Sequence, residues 1–134
     1  MTSGRPKVRL DQQERVAMIT LHGDVDLHDL TEVTGALTQA LSDITTDATL
    51  IGLSEVTFAD STFLNQLLQT FSEHTAQGRP LVLTGPLHSA VQRLLQITGT
   101  DAILPLAPTV QEGLRQLRAA SLSTASDQGP EVGI

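Results

Sequence analysis

Short apolar runs alternate along this chain with longer segments in which apolar residues recur at three- and four-residue steps. Residues 16–21 show the two-residue alternation of a strand, whereas Leu30, Val33 and Leu37 follow the period of an amphipathic helix. Strands that alternate with helices form right-handed crossovers and a mostly parallel sheet. The first two strands are joined by a short polar turn, which predicts a hairpin and an antiparallel strand. We therefore predict an α/β fold in the order ββαβαβαβα, with a mixed, mostly parallel sheet of four to five strands and about four helices.

The boundaries of these elements follow from turn residues and helix-capping patterns. The strands are predicted at residues 7–10, 16–21, 50–53, 81–83 and 102–104. The helices are predicted at residues 29–42, from 61 to near 78, at 89–97 and at 109–118. Asp29 with Glu32, and Thr109 with Glu112, have the spacing of a capping box. Residues 54–58 are interpreted as a connection that includes at most an extended stub.

One domain accounts for most of the chain. It is predicted to span residues 7–119, after a flexible N-terminus of residues 1–6. Residues 120–134 have no hydrophobic period and little to bury, so a disordered C-terminal tail is expected. No apolar run approaches the ~20 residues of a membrane span, and the first ten residues have no apolar core of a signal peptide. We therefore expect no membrane insertion and a cytoplasmic location.

The charge balance argues against nucleic acid as a partner. The chain has 15 acidic and 8 basic side chains and a formal charge of −7, whereas phosphate backbones require Lys and Arg. Trp and Tyr are absent, and three phenylalanines are too few for a platform on which bases stack. A basic protein partner fits this composition better than DNA.

Motifs for metals, cofactors and catalysis are also missing from the sequence. Cysteine is absent, and the four histidines lack the spacing of metal ligands, so we interpret them as surface residues. There is no glycine-rich phosphate loop and no nucleophile elbow. Asp24, Asp26 and Asp60 raise the alternative of a magnesium-dependent receiver domain, but that site needs a lysine on a late strand and the only lysine is Lys7. We therefore expect no metal, no cofactor and no enzymatic activity.

Three consecutive polar residues open the second predicted helix: Asp60, Ser61 and Thr62. A single cap would satisfy the free N–H groups of the first turn, and Asp60 is suited to that role. Ser61 then occupies the first helical position with its hydroxyl facing solvent. The helix dipole and the unpaired N–H groups favour negative charge there, so a phosphoryl group is tolerated at Ser61. Such a group adds about −1.5 to −2 charges without unfolding its helix.

Five short segments together resemble one known family. They are residues 21–27 (LHGDVDL), 53–58 (LSEVTF), 60–62 (DST), 94–99 (LLQITG) and 110–114 (VQEGL). In this order and spacing the chain resembles a STAS domain, specifically an anti-sigma factor antagonist of the bacterial partner-switching type. The resemblance covers about residues 7–119.

The resemblance implies a phosphorylation switch in signalling that regulates transcription. The unphosphorylated protein would bind an anti-sigma factor that is itself a serine kinase with a GHKL-type ATPase fold, which frees the sigma factor. Phosphorylation would separate the complex, and a metal-dependent PPM-type phosphatase would reset it. Carried onto this chain, Ser61 is the acceptor with Thr62 as the fallback. Asp60 would position this serine, and Asp24 and Asp26 would lie beside it on the partner-binding edge.

Two departures from the family pattern leave an alternative open. The family usually has glycine after the second hydroxyl residue, where this chain has Phe63, and an acidic residue where this chain has Gly52. Phe63 would suit an apolar contact with a permanent partner. The alternative is therefore a STAS scaffold that is not phosphorylated, either in a stress-signalling complex or as an accessory subunit of a lipid-transport ATPase.

Overall fold

The computed structural model describes residues 7–120. The strands are β1 (Val8–Gln13), β2 (Val16–Val25), β3 (Ala48–Ala59), β4 (Leu81–Thr84) and β5 (Leu106–Ala107). The helices are α1 (Leu30–Ser42), α2 (Ser61–Ala76), α3 (Ser89–Thr98) and α4, which runs from residue 110 to the last described residue, 120. Short 3₁₀ helices lie at Leu27–Asp29 and Thr100–Ala102. The expected N-terminus 1–6, and the expected tail from residue 121 onward, lie outside the described residues.

The five strands form one mixed sheet in the order β1-β2-β3-β4-β5. β1 pairs antiparallel with β2 as a hairpin, and the other neighbours pair in parallel. The predicted mixed, mostly parallel α/β fold and its element order are confirmed. Because β2, β3 and β4 are parallel, their carboxyl ends lie at one edge of the sheet, and α1, α2 and α3 begin at that edge.

Each face of the sheet has its own apolar cluster. Inward side chains of β2 and β3, such as Ile19 and Ile51, are fully buried in the larger cluster with residues of α1, α2 and α3. The smaller cluster packs Leu50 and Val82 against Leu117 of α4 on the opposite face. The continuous burial of the central strands is typical of a sheet that helices cover on both sides.

Two strand predictions are wrong. β3 is twelve residues long and continues through residues 54–58, which the sequence indicated as a connection. The predicted strand at 102–104 is instead part of a 3₁₀ helix and the turn after it, and β5 follows Pro105. The carbonyl of Pro105 accepts from the N–H of Leu83 at 2.9 Å, so the proline joins the sheet edge through its oxygen, although it has no N–H to donate.

One predicted capping box is displaced by three residues. Asp29 makes no side-chain cap to α1. Instead, Asp26 Oδ1 accepts from the N–H of His28 at 2.9 Å, and Asp29 Oδ2 accepts from the N–H of Asp26 at 3.0 Å. This reciprocal pair is the capping box, and it belongs to the 3₁₀ turn before α1. The second prediction is confirmed in its main contact, since Thr109 Oγ1 accepts from the N–H of Glu112 at 3.1 Å.

His74 corrects the interpretation of the histidines as surface residues. It lies in the last turn of α2 with no exposed surface. Its Nε2 is 2.8 Å from Thr49 Oγ1, and its Nδ1 is 2.8 Å from the carbonyl oxygen of Thr70. Both ring nitrogens therefore have hydrogen-bond partners, as buried polar groups require. Burial lowers the pKa of His74, so the neutral ring is favoured.

Candidate functional site

Asp60 links β3 to α2 and caps the helix. Its backbone is extended, and its Oδ1 accepts from the N–H of Phe63 at 3.0 Å. The first intrahelical bond runs from the N–H of Leu64 to the carbonyl of Asp60 at 3.1 Å. The N–H groups of Ser61 and Thr62 precede that bond and lack an intrahelical acceptor. The structure therefore has the cap that the sequence predicted.

Ser61 and Thr62 occupy the first two helical positions of α2. Ser61 is exposed, and Thr62 is half-buried. α2 has 16 residues, so its aligned peptide dipoles place partial positive charge beside the Ser61 hydroxyl. An anion at Ser61 would meet free N–H groups, and Asp60 would keep its capping bond. The hydroxyl is thus accessible to another protein from outside the domain.

The parallel register of β2 and β3 brings the three aspartates to one edge. Val25 lies opposite Ala59, and Asp24 lies opposite Phe58. Asp26 and Asp60 each follow the last paired residue of their strand, so they come next to each other at the carboxyl edge. The structure therefore places Asp24, Asp26 and Asp60 at the edge where α2 begins.

Asp24 is held by groups that the sequence did not associate with it. Thr57 Oγ1 donates to Asp24 Oδ1 at 2.7 Å, across the β2–β3 pair. The ammonium of Lys7 donates to the carbonyl oxygen of Asp24 and lies 3.8 Å from Asp29 Oδ2. Lys7 comes to this edge because the hairpin places it beside His22, whose N–H donates to the Lys7 carbonyl at 3.0 Å. The contacts of Lys7 with Asp24 and Asp29 depend on the register of the β1–β2 hairpin. No local sequence pattern predicts that register.

Asp26 has a structural role in addition to its place at the edge. Its pKa is lowered mainly because its carboxylate accepts from the N–H of His28. Burial is the next largest effect and raises the pKa, and the charge of the His28 ring adds a smaller lowering. The His28 Nδ1 atom lies 3.4 Å from Asp26 Oδ1. Asp26 therefore remains ionised at neutral pH while it caps the turn before α1.

Phe63 does not lie on the partner-binding surface to which the sequence assigned it. Its side chain is 2% exposed and packs in the larger apolar cluster. The residue belongs to the buried stripe of α2, at the helical period of Leu64 and Leu67. Its burial removes the exposed apolar contact that was thought to suit the scaffold alternative.

Phe58, three residues before Ser61, is the aromatic that faces outward. Its side chain is 50% exposed, although it lies within β3 between the buried residues Val56 and Ala59. Sequence reasoning placed it in a connection and gave it no role. The sequence shows only that an aromatic residue lies in an extended segment. That pattern does not tell on which face of the sheet the side chain lies.

The structure shows no arrangement of His, Asp or Glu suited to a metal ion. Over residues 7–120, no group of three or more such side chains converges. No described helix is long and apolar enough to cross a membrane. The carboxyl edge of the sheet presents the exposed Ser61, the three aspartates and the half-exposed Phe58.

Comparisons with known proteins give one matching family model and several solved structures with a similar fold. The sequence model of the STAS domain matches residues 7–113. An anti-sigma factor antagonist from Mycobacterium paratuberculosis has a similar structure, with a TM-score of 0.76, 23% identity, and coverage of 83% of this chain and 92% of that one. The anti-sigma factor antagonist SpoIIAA in its unphosphorylated form is similar with a TM-score of 0.70, 18% identity, and coverage of 84% and 96%. The phosphorylated form of SpoIIAA, a Bacillus cell fate determinant, gives a TM-score of 0.63, 17% identity, and coverage of 81% and 97%.

Proposed function

Because this chain belongs to the STAS domain family, we propose that it is an anti-sigma factor antagonist controlled by phosphorylation of Ser61. Unphosphorylated, it binds a cytoplasmic anti-sigma factor that is a serine kinase of the GHKL type and so releases a sigma factor. Phosphorylation at Ser61 ends the association, and a PPM-type phosphatase restores the hydroxyl. The protein acts as a binding module and catalyses no reaction of its own.

The observation that carries this proposal is the placement of the Ser61 hydroxyl. It is exposed in the first position of a 16-residue helix whose cap is supplied by a different residue, Asp60. A kinase can therefore reach the hydroxyl without disturbing a buried contact. The fold of SpoIIAA, known in unphosphorylated and phosphorylated forms, gives independent support for a STAS scaffold that tolerates the modification.

A phosphate at Ser61 changes the surface more than the fold. It adds about −1.5 to −2 charges where N–H groups of the helix terminus can donate hydrogen bonds to the phosphate oxygens, so the domain stays folded. Asp24, Asp26 and Asp60 lie at the same edge, so the local negative charge rises steeply. An interface matched to a neutral hydroxyl then has too few donors for a dianion, and the desolvation penalty favours separation.

The direct test is a labelling experiment. The purified protein is incubated with ATP and each GHKL-type anti-sigma factor of the source organism, and the modified site is mapped by mass spectrometry. We expect stoichiometric label on Ser61, no label in Ser61→Ala, and full label in Thr62→Ala. Label that persists in Ser61→Ala and disappears in Thr62→Ala would move the acceptor to the fallback residue. A stable complex without any label would contradict the switch and support the scaffold alternative.

A further inference from the structure

Two β-bulges interrupt the pairing of β3 with β2 near the site. Thr20 lies opposite Gly52 and His22 opposite Glu55, so β3 has one residue more than β2 in this interval. A second extra residue lies between Val56, opposite Gly23, and Phe58, opposite Asp24. Both bulges therefore insert their extra residue into β3.

The bulges decide which β3 side chains enter the core. In a regular strand every second residue faces the same side, so Val56 and Phe58 would both point inward. From Leu53 to the end of the strand, the residues of the larger cluster are Leu53, Val56 and Ala59, at three-residue spacing. The second bulge sends Ala59 inward, 7% exposed, and turns Phe58 outward. The strand thus buries a methyl group and exposes a phenyl ring.

The outward ring is half-exposed, next to a residue that is bonded across the strand pair. Phe58 lies beside Thr57, whose hydroxyl is bonded to Asp24 on the paired strand. β4 pairs with β3 only from Thr49 to Gly52. On this face, α4 packs at Leu50 and Val82, closer to the amino ends of the strands. β4 therefore does not pair with the part of β3 that contains Phe58, and the cluster under α4 does not include Phe58.

The ring also lies within the reach of any protein that engages Ser61. Ser61 is three positions after Phe58, and an extended segment of that length spans about 10 Å. A standard interface buries roughly 800 Å² on each partner, which is wide enough to include both residues. Aromatic side chains that enter an apolar pocket are typical anchors of such interfaces.

We infer that Phe58 is the apolar anchor for the anti-sigma factor that engages the Ser61 edge; this inference rests on the proposed function. The partner would carry an apolar pocket for the ring, next to hydrogen-bond donors for Asp24 and Asp60. Ser61 reports the phosphorylation state, and Phe58 supplies affinity in the unphosphorylated complex. This division of roles predicts that Phe58 variants weaken the binding of protein whose Ser61 is unmodified.

The test uses the anti-sigma factor that labels Ser61 in the phosphorylation experiment. Calorimetry measures its affinity for the wild type, Phe58→Ala, Phe58→Leu and Ser61→Asp. We expect Phe58→Ala to weaken binding roughly 30-fold, the loss typical of an interface hot spot. Phe58→Leu should recover part of this loss because an apolar side chain remains. The matched control is Ile44→Ala, since Ile44 is 91% exposed and lies between α1 and β3, at the opposite edge of the sheet.

The outcomes separate the inference from the function on which it rests. If wild type binds and Ser61→Asp does not, but Phe58→Ala equals wild type, the anchor is wrong and the switch stands. If Phe58→Ala and Ile44→Ala weaken binding equally, the effect is nonspecific and the anchor is also wrong. If no GHKL-type anti-sigma factor binds the wild type, both fail. Urea unfolding of each variant verifies that Phe58→Ala remains folded.

Discussion

Two helical glycines should respond in opposite directions to the same substitution. A Cβ atom at Gly35, exposed in α1, would meet no atom within 4 Å. A Cβ atom at Gly113 in α4 would lie 2.5 Å from Thr84 Cγ2, 3.2 Å from Leu50 Cδ1 and 3.3 Å from Val82 Cγ1. All three neighbours are buried in the sheet, so the helix must move away from it.

The magnitudes follow from the two environments. Glycine is about 0.8–1.0 kcal/mol less favourable than alanine inside a helix, so Gly35→Ala should raise the free energy of unfolding by about 1 kcal/mol. Gly113→Ala gains the same helix propensity, but overpacking of a tight core costs about 1–3 kcal/mol. We expect a net loss of about 1 kcal/mol for Gly113→Ala, and a difference of about 2 kcal/mol between the variants.

Urea unfolding at 25 °C measures both variants on one scale, provided that the m-value is unchanged. Adding Thr84→Ser to Gly113→Ala removes the methyl group that the new Cβ would strike, so part of the lost stability should return. If Gly113→Ala stabilises the protein as much as Gly35→Ala does, α4 does not approach the sheet as closely as the structure indicates.

Two further predictions concern buried polar groups. Thr84 Oγ1 is buried without a hydrogen-bond partner among the described residues. Thr84→Val removes this desolvated hydroxyl with little change of shape, so it should raise the free energy of unfolding by about 1 kcal/mol. Lower stability of Thr84→Val in urea would contradict this prediction. The folded-state pKa of His74 is lowered, mainly by burial and also by the charge of Arg79, against the opposing effects of the Thr70 carbonyl and Glu73. The unfolded chain therefore binds more protons as pH falls below about 6.5, and stability should fall by up to about 1.4 kcal/mol per pH unit. Urea unfolding from pH 7.5 to 5 should show this slope in the wild type and not in His74→Gln, while an equal slope in both would assign the pH dependence to other groups.

Patterns that depend on local chemistry were predictable from the sequence. The cap of α2 required only an aspartate before a helical period, and Asp60 supplies it. The parallel sheet followed from alternation of strands and helices, which brought Asp24, Asp26 and Asp60 to one edge. The three- and four-residue period located the buried face of α1, where Val33 and Leu37 are buried.

Features that depend on pairing between distant segments were not predictable. The two bulges in β3 exist only relative to its register with β2, and the second of them turns Phe58 outward. The contact of Lys7 with Asp24 likewise depends on the register of the β1–β2 hairpin. The burial of His74 depends on Thr49, a strand residue 25 positions earlier.

The central claim is that a negative charge on the Ser61 hydroxyl controls association while the domain stays folded. The most direct measurement compares unmodified protein with protein that carries phosphoserine at residue 61, in affinity for the labelling kinase and in urea unfolding. We predict at least a tenfold loss of affinity, about 1.4 kcal/mol, with the free energy of unfolding unchanged or higher, because the helix terminus accommodates the anion. Equal affinity of the two forms, or loss of binding that merely follows unfolding of the phosphorylated domain, would contradict the account.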